Sequence, residues 1–186
     1  MELSNLNIKN GLCISLGANI DSKYGTPIES LLITKPKVEK IINGLINKKS
    51  TKKKEIIVPR DFNWSSLYKT SPHGISGSQP DYINCILLVT SNLLPKASIK
   101  KAKYFLDKFK RLEYQFGREA KSNEQRWLPR CLDIDILWWD NLNINDQDLI
   151  LPHPRYLQRN FVIYPLSEVL SKSQKIKKLN DKRWNI

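Results

Sequence analysis

Leu12, Ile14 and Leu16 alternate with Cys13, Ser15 and Gly17. That period of two predicts a strand with one face in the core, ending at Gly17-Ala18-Asn19. A helix start follows at Thr26-Pro27-Ile28-Glu29: Thr caps, Pro suits the first helical position, and Glu three residues after Thr completes a capping box. Apolar residues at 28, 31, 32, 38, 41, 42 and 45 continue at helical spacing. Pro36 lacks an amide donor and crowds the preceding turn, which predicts a kink or two shorter helices. Residues 62–70 and 82–90 read as a second and a third strand, the latter β-branched and central in character. Apolar positions 99, 102, 105, 106, 109, 112 and 116 predict a second helix, with Gly117 where a left-handed cap would end it. A fourth strand over residues 132–138 puts Leu132, Ile134, Ile136 and Trp138 on one face and Asp133 and Asp135 on the other.

The resulting order, β-α-β-β-α-β, is the ferredoxin-like arrangement. The expected class is therefore α+β, with an antiparallel sheet, helices packed on one face and extra C-terminal strand and helix elements. Those extras are a proline-bounded loop, Leu151-Pro152-His153-Pro154-Arg155, and a short apolar segment at 161–170, expected to close over one end of the sheet. No internal repeat is visible, and 186 residues suit a single domain. Its expected appendages are a short extension at 1–10, a lysine-rich insertion at 47–60 and a basic tail at 172–186.

Composition narrows the partners more than the fold. Hydrophobic residues are 40% and charged residues 26% of the chain, an ordinary globular balance that argues against wholesale disorder. The first ten residues lack the basic and apolar regions of a signal peptide, and no stretch approaches a membrane span, so a cytoplasmic address without a membrane partner is expected. Cys13, Cys85 and Cys131 are scattered, with no C-x-x-C pair and only two histidines in the chain, which supports buried small side chains rather than disulfides or zinc. The 31 basic and 18 acidic residues give a net charge of +13, fitting a nucleic acid, a membrane surface or a nucleotide without choosing among them. Part of the excess is a local run at 48–55 that reads as a solvated face or loop.

Two carboxylates at i and i+2 on a strand project from one face about 6.7 Å apart, so Asp133 and Asp135 could share one or two hard cations. Alone, such a pair is more often a solvated strand face or a partner for a nearby arginine. Magnesium is held by one or two carboxylates together with substrate phosphates, so the pair needs a polyphosphate to complete it. Arg118, Lys121, Arg126 and Arg130 lie just upstream, in the connection leading into the same strand. Planar guanidinium groups suit phosphate oxygens, and the acidic strand with the basic connection points to phosphoryl chemistry.

Four stretches resemble the 6-hydroxymethyl-7,8-dihydropterin pyrophosphokinase family of folate biosynthesis. They are SLGANI from Ser15, YKTSPHG followed by QPDYIN from Tyr68, FGR with RWLPRCLDIDIL from Phe116, and LPHPRYLQRNFV from Leu151. The resemblance implies a ferredoxin-like core. It also implies transfer of the pyrophosphoryl group of ATP to 6-hydroxymethyl-7,8-dihydropterin, with two Mg2+ bound with ATP and bridged by Asp133 and Asp135. It makes Arg118, Arg126 and Arg130 phosphate contacts, brings His153 and Arg159 to the nucleotide or the transferred group, and has Glu113 and Ile136 line the ATP site. Tyr82 and Phe161 would sandwich the flat pterin ring. Asn84 would meet the ring edge, Thr70 and Pro72 would belong to the wall supplying backbone contacts, and Trp127 would cover the bound ring. The substrate hydroxymethyl oxygen would attack the β-phosphorus, with positioning and charge neutralisation carrying the catalysis and no obligatory general base. A monomer is expected.

The chain departs from the family's pattern at His73, where an apolar residue is common, and in a slightly longer loop between Arg118 and Trp127. A second arginine common in that loop is replaced by Ala120, with Lys121 beside it. The rivals predict different residues. An RNA-binding module of the same element order should carry stacking aromatics on its strand faces, where this chain has Asp133 and Asp135, and no nucleic-acid partner is expected. A different Asp-x-Asp transferase would need no Tyr82, Asn84 and Phe161 set. A second fused activity has no room in a chain of this length.

Overall fold

The computed structural model describes residues 11–47, 61–72, 79–118 and 128–180. The expected extension at 1–10, residues 48–60 of the expected lysine-rich insertion, His73, the stretch with Ala120, Lys121, Arg126 and Trp127, and the last six residues lie outside the described part.

The fold is α+β. Strand β1 (Leu12–Ala18) is followed by α1 (Pro27–Asn47), then β2 (Phe62–Trp64), β3 (Tyr68–Thr70), β4 (Tyr82–Val89), α2 (Ile99–Gln115) and β5 (Asp133–Trp139). The main sheet runs β2-β4-β1-β5, with β3 also on β4, and every pairing in it is antiparallel. A short ladder of β6 (Ile144–Asn145) and β7 (Ile150–Leu151) and a long helix α3 (Asn160–Asn180) complete it. Among the described residues no helix is long and apolar enough to cross a membrane.

The local signals explain most elements. The capping box at the start of α1 is formed: the Thr26 amide donates to Glu29 Oε2 at 2.8 Å and the Glu29 amide to Thr26 Oγ1 at 3.4 Å. The helix then runs through Pro36 as one element rather than dividing. Leu31, Thr34, Val38 and Ile42 are buried on its inner side, while Pro36 and Leu32, whose carbonyl loses its donor there, are exposed, so the proline falls on the solvent side of the helix. The second predicted strand is broken. Residues 62–64 and 68–70 both pair with β4, and between them Ser65 bonds Ile86 twice, its amide to the Ile86 carbonyl and its hydroxyl from the Ile86 amide, each at 2.9 Å.

Two cores sandwich the sheet. α1 and α2 cover one face, where Leu12, Ile14, Leu16, Leu87 and Val89 meet Leu31, Val38, Phe105 and Phe109. The added helix α3 covers the other, with Val162, Leu166 and Val169 on Cys13, Ile86, Leu88, Leu137 and Trp138. β1 is consequently buried along its whole length, not on one face as its alternation predicted. Trp138 is a second correction: it lies on the α3 side, its ring 5.5 Å from that of Tyr156, and Trp139 takes the place expected for it. The pairing jumps from Ile14–Ile136 to Cys13–Trp138, so Leu137 is an extra residue in β5, and the bulge reverses the alternation beyond it. Residues 172–180 of the expected tail continue α3. All three cysteines are buried and free.

Candidate active site

The sheet register sets the floor of the site. Gly17 on the central strand faces Asn84 on one side and Asp133 on the other; Ser15 faces Ile86 and Asp135; Tyr68 and Thr70 face Asn84 and Tyr82. Because strand side chains alternate, Thr70, Tyr82, Asn84, Gly17, Asp133 and Asp135 share the face on which α3 packs. Asn84 is buried and donates from Nδ2 to Thr70 Oγ1 at 2.8 Å.

At the β5 end, charge is concentrated by the end of α2. Gly117 takes a left-handed φ of 104°, the Gly117 amide bonds the Tyr114 carbonyl and the Arg118 amide bonds the Glu113 carbonyl, each at 3.1 Å. This is a Schellman turn, and it aims Arg118 at β5. Arg118 Nη1 lies 2.6 Å from Asp133 Oδ1 and 2.6 Å from Glu113 Oε1, and Arg130 Nη1 lies 2.6 Å from Asp133 Oδ2. Glu113 also accepts the Ile134 amide at 2.7 Å, satisfying the outer edge of β5. Burial and then the Asp133 charge raise the Glu113 carboxyl above its ordinary range, against Arg118 and the Ile134 amide, which lower it. Burial works against the Arg118 charge, but Asp133 and Glu113 more than offset it and raise that guanidinium. Arg118 Nη2 is buried with no hydrogen-bond partner among the described residues, an unsatisfied donor of the kind an anionic oxygen would complete.

Asn19 sets the backbone of Arg130. Its Oδ1 accepts the Arg130 amide at 2.6 Å and its own amide donates to the Arg130 carbonyl at 2.9 Å. Its Nδ2 donates to the Pro80 carbonyl at 3.2 Å and Gln79 Oε1 at 3.4 Å. One side chain, 2% exposed, thereby ties the approach to β4 to the approach to β5.

The segment before α3 closes the third side. The His153 amide donates to the carbonyl of the bulge residue Leu137 at 2.7 Å, and His153 Nδ1 accepts the Arg155 amide at 3.2 Å. With Nδ1 accepting, a neutral ring carries its proton on Nε2. Burial, helped by the Arg159 and Arg155 charges, pushes His153 down to about 4. Burial and Arg155 also lower Arg159, while Asp135 and Asp133 favour its charge. The Arg159 guanidinium sits 5.4 Å from the Phe161 ring centre, and Phe161 packs against the α3-side core.

Among the expected site residues, the fold places Asp133, Asp135, Arg118, Arg130 and Glu113 at the β5 end, with His153 and Arg159 within electrostatic reach of Asp133. Thr70, Tyr82 and Asn84 stand together across the sheet, and Pro72, half-buried, follows β3. Ile136 differs: its side chain is 4% exposed in the α1–α2 core, so only its backbone is available to a ligand. Arg126 and Trp127 lie outside the described residues. Gly17 and Asn19 carry no charge that marks them in the sequence; their signal is their place in SLGANI, where a small residue and a bonding amide end the central strand. Asp133 and Asp135 supply hard oxygen donors suited to magnesium. No group of three or more His, Cys, Asp or Glu that could hold a metal occurs among the described residues, so a cation there would be completed by substrate oxygens.

The chain is similar in sequence to known proteins. The sequence profile of the 7,8-dihydro-6-hydroxymethylpterin-pyrophosphokinase family matches residues 13–171. The chain is 34% identical over 111 residues to the 2-amino-4-hydroxy-6-hydroxymethyldihydropteridine pyrophosphokinase of Bacillus subtilis, covering 60% of each chain. It is 31% identical over 158 residues to the Haemophilus influenzae protein of the same name, covering 85% of this chain and 80% of that one. It is 29% identical over 156 residues to the folic acid synthesis protein fol1 of Pneumocystis carinii, covering 84% of this chain but 17% of that one. The profile match spans the elements that carry the aspartate pair, the arginines and the Tyr82–Asn84 strand, and the chain belongs to the 7,8-dihydro-6-hydroxymethylpterin-pyrophosphokinase family.

Proposed function

We propose that this protein transfers the pyrophosphoryl group of ATP to 6-hydroxymethyl-7,8-dihydropterin, giving AMP and the pterin diphosphate, a step of tetrahydrofolate biosynthesis. The observation that carries the reading is the row Asn84–Gly17–Asp133. A polar and aromatic group suited to a flat heterocycle stands at one end and an acidic pair with arginines at the other, two strand spacings or roughly 10 Å apart. That span suits an acceptor ring on one side and a polyphosphate on the other.

Asp133 and Asp135 would hold two Mg2+ with the ATP, which when bound supply neutralisation of phosphate charge and polarisation of the β-phosphorus. Arg118 and Arg130, which pair with Asp133, would offer their guanidinium groups to phosphate oxygens, and Arg118 Nη2 has no hydrogen-bond partner among the described residues. Arg126, Arg159 and the neutral Nε2–H of His153 add donors that stabilise charge on the transferred group. Glu113 and the backbone of Ile136 line the nucleotide side. Tyr82 and Phe161 stack on the pterin, Asn84 bonds its edge, Thr70 and Pro72 form the wall, and Trp127 excludes water. The hydroxymethyl oxygen attacks the β-phosphorus as the bond to the bridging oxygen of AMP breaks, and its proton passes to solvent without an assigned base.

The core is read as ferredoxin-like β-α-β-β-α-β, counting β2 and β3 as one broken strand; the strand order and the antiparallel pairings support it. The chain acts as one domain, as a cytoplasmic monomer that binds no nucleic acid. Incubation with ATP and Mg2+, with and without the pterin, tests the function: nucleotide consumption should require both pterin and metal. Consumption that is absent, or independent of the pterin, would overturn it.

A further inference from the structure

Glycine inside a central strand forgoes packing and costs conformational entropy, and often marks a close approach of another group. Gly17 has that position in β1, hydrogen-bonded neighbours on both sides and no left-handed φ, so its backbone is one that alanine adopts freely. What excludes a side chain is Asn84: a Cβ on Gly17 would lie 2.8 Å from Asn84 Oδ1, with the next atoms, Asn84 Cγ and the Ile83 carbonyl oxygen, at 3.9 Å. The conflict is with one atom. The Asn84 carboxamide is held from its other end by the 2.8 Å bond to Thr70 and is 3% exposed, so it has little room to turn away. A contact of 2.8 Å is closer than real Cβ atoms approach their neighbours.

We propose that Gly17 is a positioning residue for the acceptor: the space left by its absent side chain lets the Asn84 carboxamide lie across the central strand, facing the acceptor. The inference rests on the function proposed above, and it makes the opening between Asn84 and Asp133 a determinant of acceptor recognition. A methyl group at 17 turns the carboxamide out of line and weakens its bond to Thr70. The nucleotide end keeps its arginines and aspartates.

The test is a double-mutant cycle with Gly17→Ala and Asn84→Ala, read by the dissociation constants of the pterin and of a non-hydrolysable Mg-ATP analogue and by thermal melting. Gly17→Ala should weaken pterin binding about tenfold or more while changing analogue binding by less than about twofold. In the Asn84→Ala background, where the obstructing oxygen is gone, adding Gly17→Ala should change neither pterin binding nor melting temperature appreciably. Additive effects, or equal loss of both ligands, overturn the inference. If Gly17→Ala alone fails to fold, recovery of folding in the double variant supports the clash and failure to recover overturns it. A wild-type protein that binds no pterin contradicts the proposed function instead, and the melting cycle still reports on the Gly17–Asn84 conflict.

Discussion

Arg118 and Asp133 meet through a 2.6 Å contact that joins the turn after α2 to the first residue of β5. The same Arg118 nitrogen lies 2.6 Å from Glu113, so one guanidinium holds two carboxylates, one on a helix and one on a strand. Such a buried arrangement is costly unless its charges balance. The balance is what a bound anion and cation would alter together, which makes this end of the sheet responsive to a metal–polyphosphate pair.

Asp135→Asn removes half of the acidic pair without touching the Asp133–arginine contacts. Turnover should fall by about 10³-fold or more, the loss of several kcal/mol of charge stabilisation, while the melting temperature stays close to that of the parent. Asp133→Asn should lose activity to a similar extent. Steady-state kinetics with calorimetry checks both; full activity in either variant would refute the shared metal assignment.

Asn19→Ala leaves the Arg130 amide and the Pro80 carbonyl without their partner. The expected cost is about 1–3 kcal/mol of stability with up to about a 100-fold drop in kcat from a displaced Arg130. Chemical denaturation and kinetics decide it, and an unchanged kcat would mean that Arg130 does not need this anchor.

Glu168 on α3 accepts the Ser66 amide at 2.9 Å, the Ser66 hydroxyl at 3.1 Å and the Tyr68 hydroxyl at 3.1 Å, and pairs with Lys172. Burial alone would raise its carboxyl, but Lys172, Ser66 and Tyr68 together hold it at about 2. A folded-state value below the ordinary one gives stability that is full above about 4.5 and is lost as the pH falls toward 2. Glu168→Gln should flatten acid denaturation across that window, as followed by far-UV circular dichroism.

His153 acts in the same direction in a higher pH window. Its folded value of about 4, against an ordinary 6.5, means that the unfolded chain binds the proton first, so stability rises with pH between those values. His153→Asn should remove this slope. NMR titration of the free protein should place the imidazole near 4, and Mg-ATP should raise it, because phosphate charge favours the imidazolium; a free value near 6.5 would contradict the burial.

Local chemistry was legible in the sequence because its causes lie within a few residues. The Thr26–Glu29 box, the apolar period from Ile99 with Gly117 after it, and the alternation of β1 each depend on neighbours. The bulge at Leu137 that moves Trp138 to the other core, and the break at Ser65, depend on partner strands and left no mark in the periodicity. The second face of β1 became buried because a helix more than 140 residues later lies on it. The site divides in the same way. Asp133, Asp135 and Arg118 announce themselves by charge and spacing, and the family resemblance supplies Tyr82, Asn84 and Phe161. Asn19 and Gly17 act through residues 60 or more positions away, and only the register of β4, β1 and β5 exposes them.

The most direct test of the central claim uses ATP labelled at the β-phosphorus with Mg2+ and 6-hydroxymethyl-7,8-dihydropterin. The label should appear in the pterin product, with unlabelled AMP formed in equal amount. Label recovered in ADP, with a singly phosphorylated pterin, would contradict the account.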